Sequence, residues 1–254
     1  MPSRVYQTEA IVIKRNKFGE ADRLLTLYTP GYGKIRAIAK GAMRPGSKLG
    51  GNVELLTHSL LLLARGRNLD IVTQAQTIDN FIELKDNLDL ISCGFYISEL
   101  MDSFTEENAG DQALFNLLLN TLRDLSTVKG SDRILRYFEI HLLDHLGYRP
   151  QLGKCTGCSR PLPPEVNYFS PAHGGVVCRD CGYPDINART LSVNALKVLR
   201  YWQQCDSASA LKIKLNHELS RELKSALREY IKYILEKQLK SIDWLDELNA
   251  DNGK

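Results

Sequence analysis

Residues 10–40 read AIVIKRNKFGEADRLLTLYTPGYGKIRAIAK, and the spacing of their apolar residues decides how the chain begins. The runs AIVIKR, DRLLTLYT and KIRAIAK are short and β-branched or aliphatic, and FGEA and PGYGK between them supply turn residues. In KIRAIAK, strict alternation along an extended chain sets Lys34, Arg36, Ile38 and Lys40 on one face and Ile35, Ala37 and Ala39 on the other. VELLTHSLLLLAR and LDIVTQAQTI add two further runs before residue 80. Five such strands predict a small closed or partly closed barrel; an OB-like Greek-key barrel is the common solution, and an SH3-like barrel fits the same pattern.

Beyond Ile82 the period changes from two to between three and four. LKDNLDLISCGFYISELMDSF, DQALFNLLLNTLRDLS and SDRILRYFEIHLLDHLGY are amphipathic, broken by TEENAGD and VKGSD. Residues 150–185 are poor in aliphatics and hold four cysteines among proline and glycine. After them Ser192 reads as an N-cap for VNALKVLRYWQQC. A long amphipathic helix follows, with Leu219, Leu223, Leu227, Ile231 and Ile234/Leu235 on its apolar stripe. The expected fold is therefore α+β: an OB-like barrel over 1–80, a helical bundle over 81–149, a four-cysteine zinc element over 150–185, and helices over 186–254 that pack back onto the bundle.

Composition fits a soluble chain, with 43% apolar and 25% charged residues among 254. The longest aliphatic run, Leu60–Ala64, falls far short of the roughly 20 residues that cross a bilayer. No apolar h-region follows Met1, so a cytoplasmic location is expected, where paired cysteines read as metal ligands rather than disulfides. The net charge of +3 hides an asymmetry: residues 1–80 carry 12 Lys/Arg against 6 Asp/Glu, 81–150 carry 6 against 12, and 151–254 carry 15 against 12. The first segment suits a polyanion.

Cys155-x-x-Cys158 and Cys178-x-x-Cys181 have the spacing of two zinc knuckles that complete a four-thiolate tetrahedron. Such a site has no open position for water, so the expected zinc is a staple and not a catalyst. His173 is read as a turn residue, and Cys93 and Cys205 as small buried residues.

Two motifs mimic enzymes. HLLDH, with His141, Asp144 and His145, resembles an inverted zinc-protease signature, but its acid is the shorter Asp and no third ligand is evident. KGAMRPGSKLGG, Lys40–Gly51, comes close to a phosphate-binding loop, but Ser47-Lys48 reverses the order that the chemistry needs. LGGN, which follows, does not propagate a helix, so no nucleotide is expected. What remains is a flexible basic loop with Lys40, Arg44 and Lys48, beside a strand face carrying Lys34, Arg36 and Lys40: a track for a phosphate backbone. Lys14, Arg15, Lys17 and Arg23 widen it, and Tyr28 and Tyr32 are candidates to stack on bases. Arg221, Lys224, Arg228 and Lys232 line one face of the last long helix, where interleaved glutamates favour a solvated, salt-bridged surface.

AIVIKRNKFGEADRLLTLYTPGYGKIRAIAKGAMRPGSKL resembles the N-terminal barrel of the RecO family of bacterial recombination mediators. RYFEIHLLDHLGYRPQLGKCTGCSRPL followed by FSPAHGGVVCRDC resembles that family's junction between bundle and zinc element. The resemblance implies an OB fold that binds single- and double-stranded DNA, a helical domain, and a zinc element that some members lack. It implies a non-enzymatic, ATP-independent role: annealing complementary strands and, with RecR and sometimes RecF, helping RecA load onto DNA covered by single-strand-binding protein. The family's basic positions fall on Arg36 and Lys40, with Arg15, Lys34, Arg44 and Lys48 as companions, while Met43 and Gly46 stand where further cations are common. The family docks the acidic tail of the single-strand-binding protein in its helical region, for which Arg133 and Arg136 are the candidates. The rival expectations are a protein–protein scaffold whose basic barrel meets an acidic partner, and a zinc hydrolase built on HLLDH.

Overall fold

A computed structural model describes residues 4–128, 130–182, 185–242 and 245. They form two compact units, one from residues up to 127 together with those from 239 onward, the other from 128–238.

The first unit opens with the barrel: β1 (Val5–Phe18), β2 (Asp22–Thr29), β3 (Gly33–Ala39), β4 (His58–Ala64) and β5 (Asp70–Asp79). The order is β1-β2-β3-β5-β4, closed by β4 against β1. All pairs are antiparallel except β3 with β5. This Greek-key path is the OB-like arrangement of the two that the strand pattern allowed. β1 serves two partners along its length, β4 from Val5 to Ile11 and β2 from Ile11 to Phe18, with a register shift between Val12 and Lys14. A bulge there bends the strand, which closing so small a barrel requires.

The alternation read in KIRAIAK holds on its inner side. Ile35, Ala37 and Ala39 join Ala10, Val12, Leu25, Leu27, Leu61 and Leu63 in the barrel core. β4 begins later than VELLTHSLLLLAR suggests, because a single 3-10 turn (Gly51–Val53) and Leu56, at φ 59°, intervene.

Helices α1 (Ile82–Lys85), α2 (Leu88–Phe104) and α3 (Gln112–Thr127) belong to this same unit. Asn87 caps α2 by accepting from Asp89 N and Leu90 N, and Asp111 caps α3 by accepting from Leu114 N. The segment expected as one bundle, 81–149, is thus divided: α2 and α3 pack in the barrel unit and the next helix in the other. Residues near 240 also belong here, held by the Glu99 carboxylate, which accepts from Lys240 N at 3.0 Å and Ser241 N at 2.8 Å.

The second unit comprises α4 (Ser131–His145), β6 (Asn167–Ser170), β7 (Gly175–Val177), α5 (Arg179–Gly182), β8 (Arg189–Leu191), α6 (Val193–Trp202), α7 (Ser207–Ala210) and α8 (His217–Leu235). Ser192 caps α6 as expected, accepting from Ala195 N at 3.1 Å. α8 buries Leu223, Ala226, Leu227, Tyr230 and Ile231, and it packs with α4 and α6. A three-stranded sheet, β7-β6-β8, carries the cysteine element. Its strands of three and four residues are too short to show a period in the sequence.

Candidate nucleic-acid interface and metal centre

The outward face of β3 is where the sequence places the cations, and the structure sorts them into two groups. Lys34 points outward but is covered: Nζ donates to the Asp102 carbonyl oxygen at 2.6 Å and lies 3.5 Å from its Oδ1, leaving the side chain 11% exposed. Asp102, on the last turn of α2, also takes Lys14 at 2.8 Å. Arg36 pairs with Glu107 at 3.2 Å, and Arg15 with Glu54. The acidic segment before α3 lies directly along this edge. Lys34 and Glu107 form a parallel bridge, and Asn108 N donates to Lys34 O at 2.9 Å. The approach is close enough that a Cβ on Gly33, at φ 63°, would sit 1.9 Å from the Ala109 carbonyl oxygen. Lys34 is therefore a structural residue, which corrects its expected place on an open phosphate track. Strand alternation names the outer face but not what covers it.

Lys40, Arg44 and Lys48 form the second group. All three are exposed, and among the described residues none makes an ion pair. Their loop is tied by turns rather than loose. Gly41 N donates to Asp22 Oδ1 at 2.7 Å, Met43 N to Ala21 O at 2.9 Å, Ser47 N to Arg44 O at 3.1 Å, and Asn52 Nδ2 to Lys48 O at 2.7 Å. Uncompensated cations on a fixed backbone suit a phosphate chain, because little ordering entropy remains to be lost on binding.

Of the two candidate stacking tyrosines, Tyr28 is 1% exposed and lies in the interior. Tyr32 is half-buried and packs on Tyr6, with ring centroids 4.6 Å apart. Arg65 sits over both rings, 4.5 Å from the Tyr6 centroid and 5.5 Å from that of Tyr32. Neither Tyr6 nor Arg65 was singled out in the sequence, although the run ARGRN (residues 64–68) is a basic turn that could have drawn attention.

Arg133 and Arg136 do not form a docking pair. Arg136 is buried with Glu139 at 2.6 Å, the two side chains 1% and 0% exposed. Arg133 Nη1 donates to the backbone carbonyls of Leu211 at 2.7 Å and Ile213 at 3.1 Å. Both guanidinium groups are committed inside the second unit. HLLDH does not assemble a metal site either. His141 Nε2 lies 2.8 Å from the Trp202 carbonyl, and Asp144 pairs with Arg149 at 3.0 Å.

The four cysteines do assemble. The sulfurs of Cys155, Cys158, Cys178 and Cys181 all lie within 4.8 Å of one another, and those of Cys158 and Cys178 are 3.8 Å apart. Thiolates at the ~2.3 Å zinc–sulfur bond length on a tetrahedron are about 3.8 Å apart, so the quartet fits such an ion. Among the described residues this is the one cluster of potential metal ligands found.

The knuckles are held by the backbone. Cys155 N donates to Arg160 O and Thr156 N to Val176 O, both at 2.9 Å, while Cys178 N donates to Cys155 Sγ at 3.2 Å. A Cβ on Gly157 would stand 3.0 Å from Cys181 Cβ, which accounts for glycine within the first knuckle. Arg160 Nε donates to Cys158 Sγ at 3.2 Å and draws that thiol down to about 6, favouring the thiolate that a metal needs. His173 belongs to the β6–β7 turn as expected, with Nδ1 2.9 Å from Ser170 Oγ.

The chain matches the family description "Recombination protein O N terminal" over residues 1–81 and "Recombination protein O C terminal" over 85–243. It is 42% identical over 250 residues to the DNA repair protein RecO of Dehalococcoides mccartyi, covering 97% of each chain. With its namesake from a Roseiflexus species it shares 44% over 248 residues, covering 98% of this chain and 87% of the relative. With that of Desulforamulus reducens it shares 35% over 249 residues, covering 98% and 97%. Barrel, cysteine quartet and full-length similarity agree: the chain belongs to the RecO family of DNA repair proteins.

Proposed function

We propose that the protein is an ATP-independent recombination mediator. It binds single- and double-stranded DNA on the barrel, anneals complementary strands, and with RecR helps load RecA onto DNA covered by single-strand-binding protein. The observation that carries this reading is the set of exposed, acid-free cations Lys40, Arg44 and Lys48 on a tied loop at the end of β3. They neutralise phosphates without reading bases, and two strands held in this way can pair without nucleotide hydrolysis. Arg36 and Arg15 join them once a strand displaces Glu107 and Glu54, because exposed ion pairs are worth only about 0–1 kcal/mol. The same reading expects a cytoplasmic protein.

The cysteine quartet takes one zinc ion. Its four thiolates fill the coordination sphere, so the metal has no open position for substrate. It stabilises the region around β6 and β7, with a binding free energy of about 10–16 kcal/mol in comparable small sites. The reading includes docking of the acidic tail of single-strand-binding protein on the helical region, where the expected Arg133 and Arg136 are already engaged by Leu211, Ile213 and Glu139.

Annealing of complementary oligonucleotides by the purified protein without ATP, on bare DNA and on DNA coated with single-strand-binding protein, tests the reading. Acceleration on both substrates is expected. A rate equal to spontaneous annealing on both removes it.

A further inference from the structure

The end of the barrel where β1 begins and β4 finishes carries a second group of cations, and these stand beside aromatic rings. Tyr6 donates its hydroxyl to Asp70, and Asp70 Oδ1 also accepts from Gly66 N at 3.1 Å, which closes the β4–β5 turn. The Tyr6 ring is thereby pinned, and burial together with the Asp70 contact keeps its hydroxyl protonated. Over it lies the guanidinium of Arg65, 4.5 Å from the ring centroid, with Tyr32 tilted at 58° alongside. Arg65 N donates to Arg4 O at 2.9 Å, so backbone as well as side chain is fixed.

Arg4, Arg65 and Arg67 are exposed, and among the described residues none has an ion-paired carboxylate. On β3, by contrast, Lys34 and Arg36 are both compensated. Ala37 of β3 pairs with Asp70, so this end of the barrel adjoins the strand that carries Arg36.

A guanidinium stacked on one aromatic face is planar, weakly hydrated and able to stack again on its other side. Bases splayed from single strands stack on such planes. We propose that Arg65, supported by Tyr6 and flanked by Tyr32, is a stacking site for one unpaired nucleobase, with Arg4 and Arg67 taking the neighbouring phosphates. The inference rests on the DNA-binding reading and adds to it a way to prefer single strands. The loop at Lys40–Lys48 binds backbone of either form, whereas this site accepts a base only when it is unpaired.

The test compares three probes of equal length at one salt concentration: a thymidine oligonucleotide, the same backbone made abasic, and a duplex. The wild-type protein is expected to favour the base-bearing strand over the abasic one by on the order of 5- to 100-fold, the range that one stacked base supplies. Arg65→Lys keeps the charge and loses the plane, so it should remove most of that preference while leaving abasic and duplex affinities within about twofold. Tyr32→Leu, checked for an unchanged melting temperature, should reduce the preference in part.

Equal affinity of the wild type for base-bearing and abasic strands overturns this site and leaves the phosphate-binding loop standing. So does an Arg65→Lys variant that keeps the full preference. Failure of all three probes to bind overturns the DNA-binding reading and this site together.

Discussion

Lys34 and Lys40 lie on the same face of one strand by sequence, yet substitutions at the two should have opposite consequences. Replacing Lys40, Arg44 and Lys48 together by Gln removes three exposed cations that hold no partner within the protein, so folding should change little. On single-stranded DNA each lost phosphate contact lowers the salt slope by about 0.7, so the slope should fall by about 2. Between about 50 and about 200 mM salt, a fourfold rise, the variant's affinity should then decline roughly 16-fold less than the parent's. Lys34→Met should leave the slope unchanged. It removes a charged donor that is 2.6 Å from a backbone carbonyl and 11% exposed, a loss of about 1.5–3 kcal/mol in stability. Glu107→Gln frees Arg36 from its 3.2 Å pair and should raise affinity by up to about fivefold, the equivalent of an exposed pair's ~1 kcal/mol. Fluorescence-anisotropy titrations at several salt concentrations, alongside urea unfolding, read all three. An unchanged slope in the triple variant, or a reduced slope at full stability in Lys34→Met, would refute the division of the strand face.

Three other outcomes are expected. Chelation, or Cys155→Ser, should lower the melting temperature and release one zinc ion per chain by native mass spectrometry, while the barrel's salt slope persists. Arg136→Ala should cost about 3–5 kcal/mol by removing the buried cation 2.6 Å from the Glu139 carboxylate, whereas Arg136→Met with Glu139→Leu should come within about 1 kcal/mol of the parent; urea unfolding compares them. Burial pushes the Asp102 carboxyl up, but the hydrogen bond and charge of Lys14 and the charge of Lys34 outweigh it and hold the group below 3.8. A carboxyl depressed by folding stabilises fully above its unfolded pKa and less as pH falls through the folded one. The melting-temperature gap between wild type and Asp102→Asn should therefore narrow as pH drops below about 3.8, and a constant gap would count against that ion cluster.

What could be read from the sequence was local. Ile35, Ala37 and Ala39 alternate because one side of β3 faces a core, and that much is written in seven residues. The two Cys-x-x-Cys knuckles carry their own geometry, and Ser192 its own cap. What could not be read depends on distant segments. Lys34 is claimed by Asp102, 68 positions away, and Arg36 by an acidic segment that looked like a linker. Arg136 sits among Leu135, Phe138 and Ile140, where helical spacing puts it on the buried side. Its partner Glu139 was visible at i+3, but a surface pair has the same spacing. Tyr28 and Tyr32 look alike in sequence, and only barrel closure sends one inward and leaves the other half-exposed against a ring from β1.

The return of the chain to Glu99 has a topological consequence. The second unit is an insertion with two attachments, since residues before 128 and after 238 both belong to the first. A single proteolytic nick near residue 128 would not free it, because the downstream fragment would still hold Leu239, Leu245 and the Ser241 that Glu99 binds. Removing the C-terminal segment beyond 238 would instead strip buried side chains from the unit that carries the barrel. Separating the two units cleanly requires joining residue 127 to residue 239 in one chain and expressing 128–238 in another.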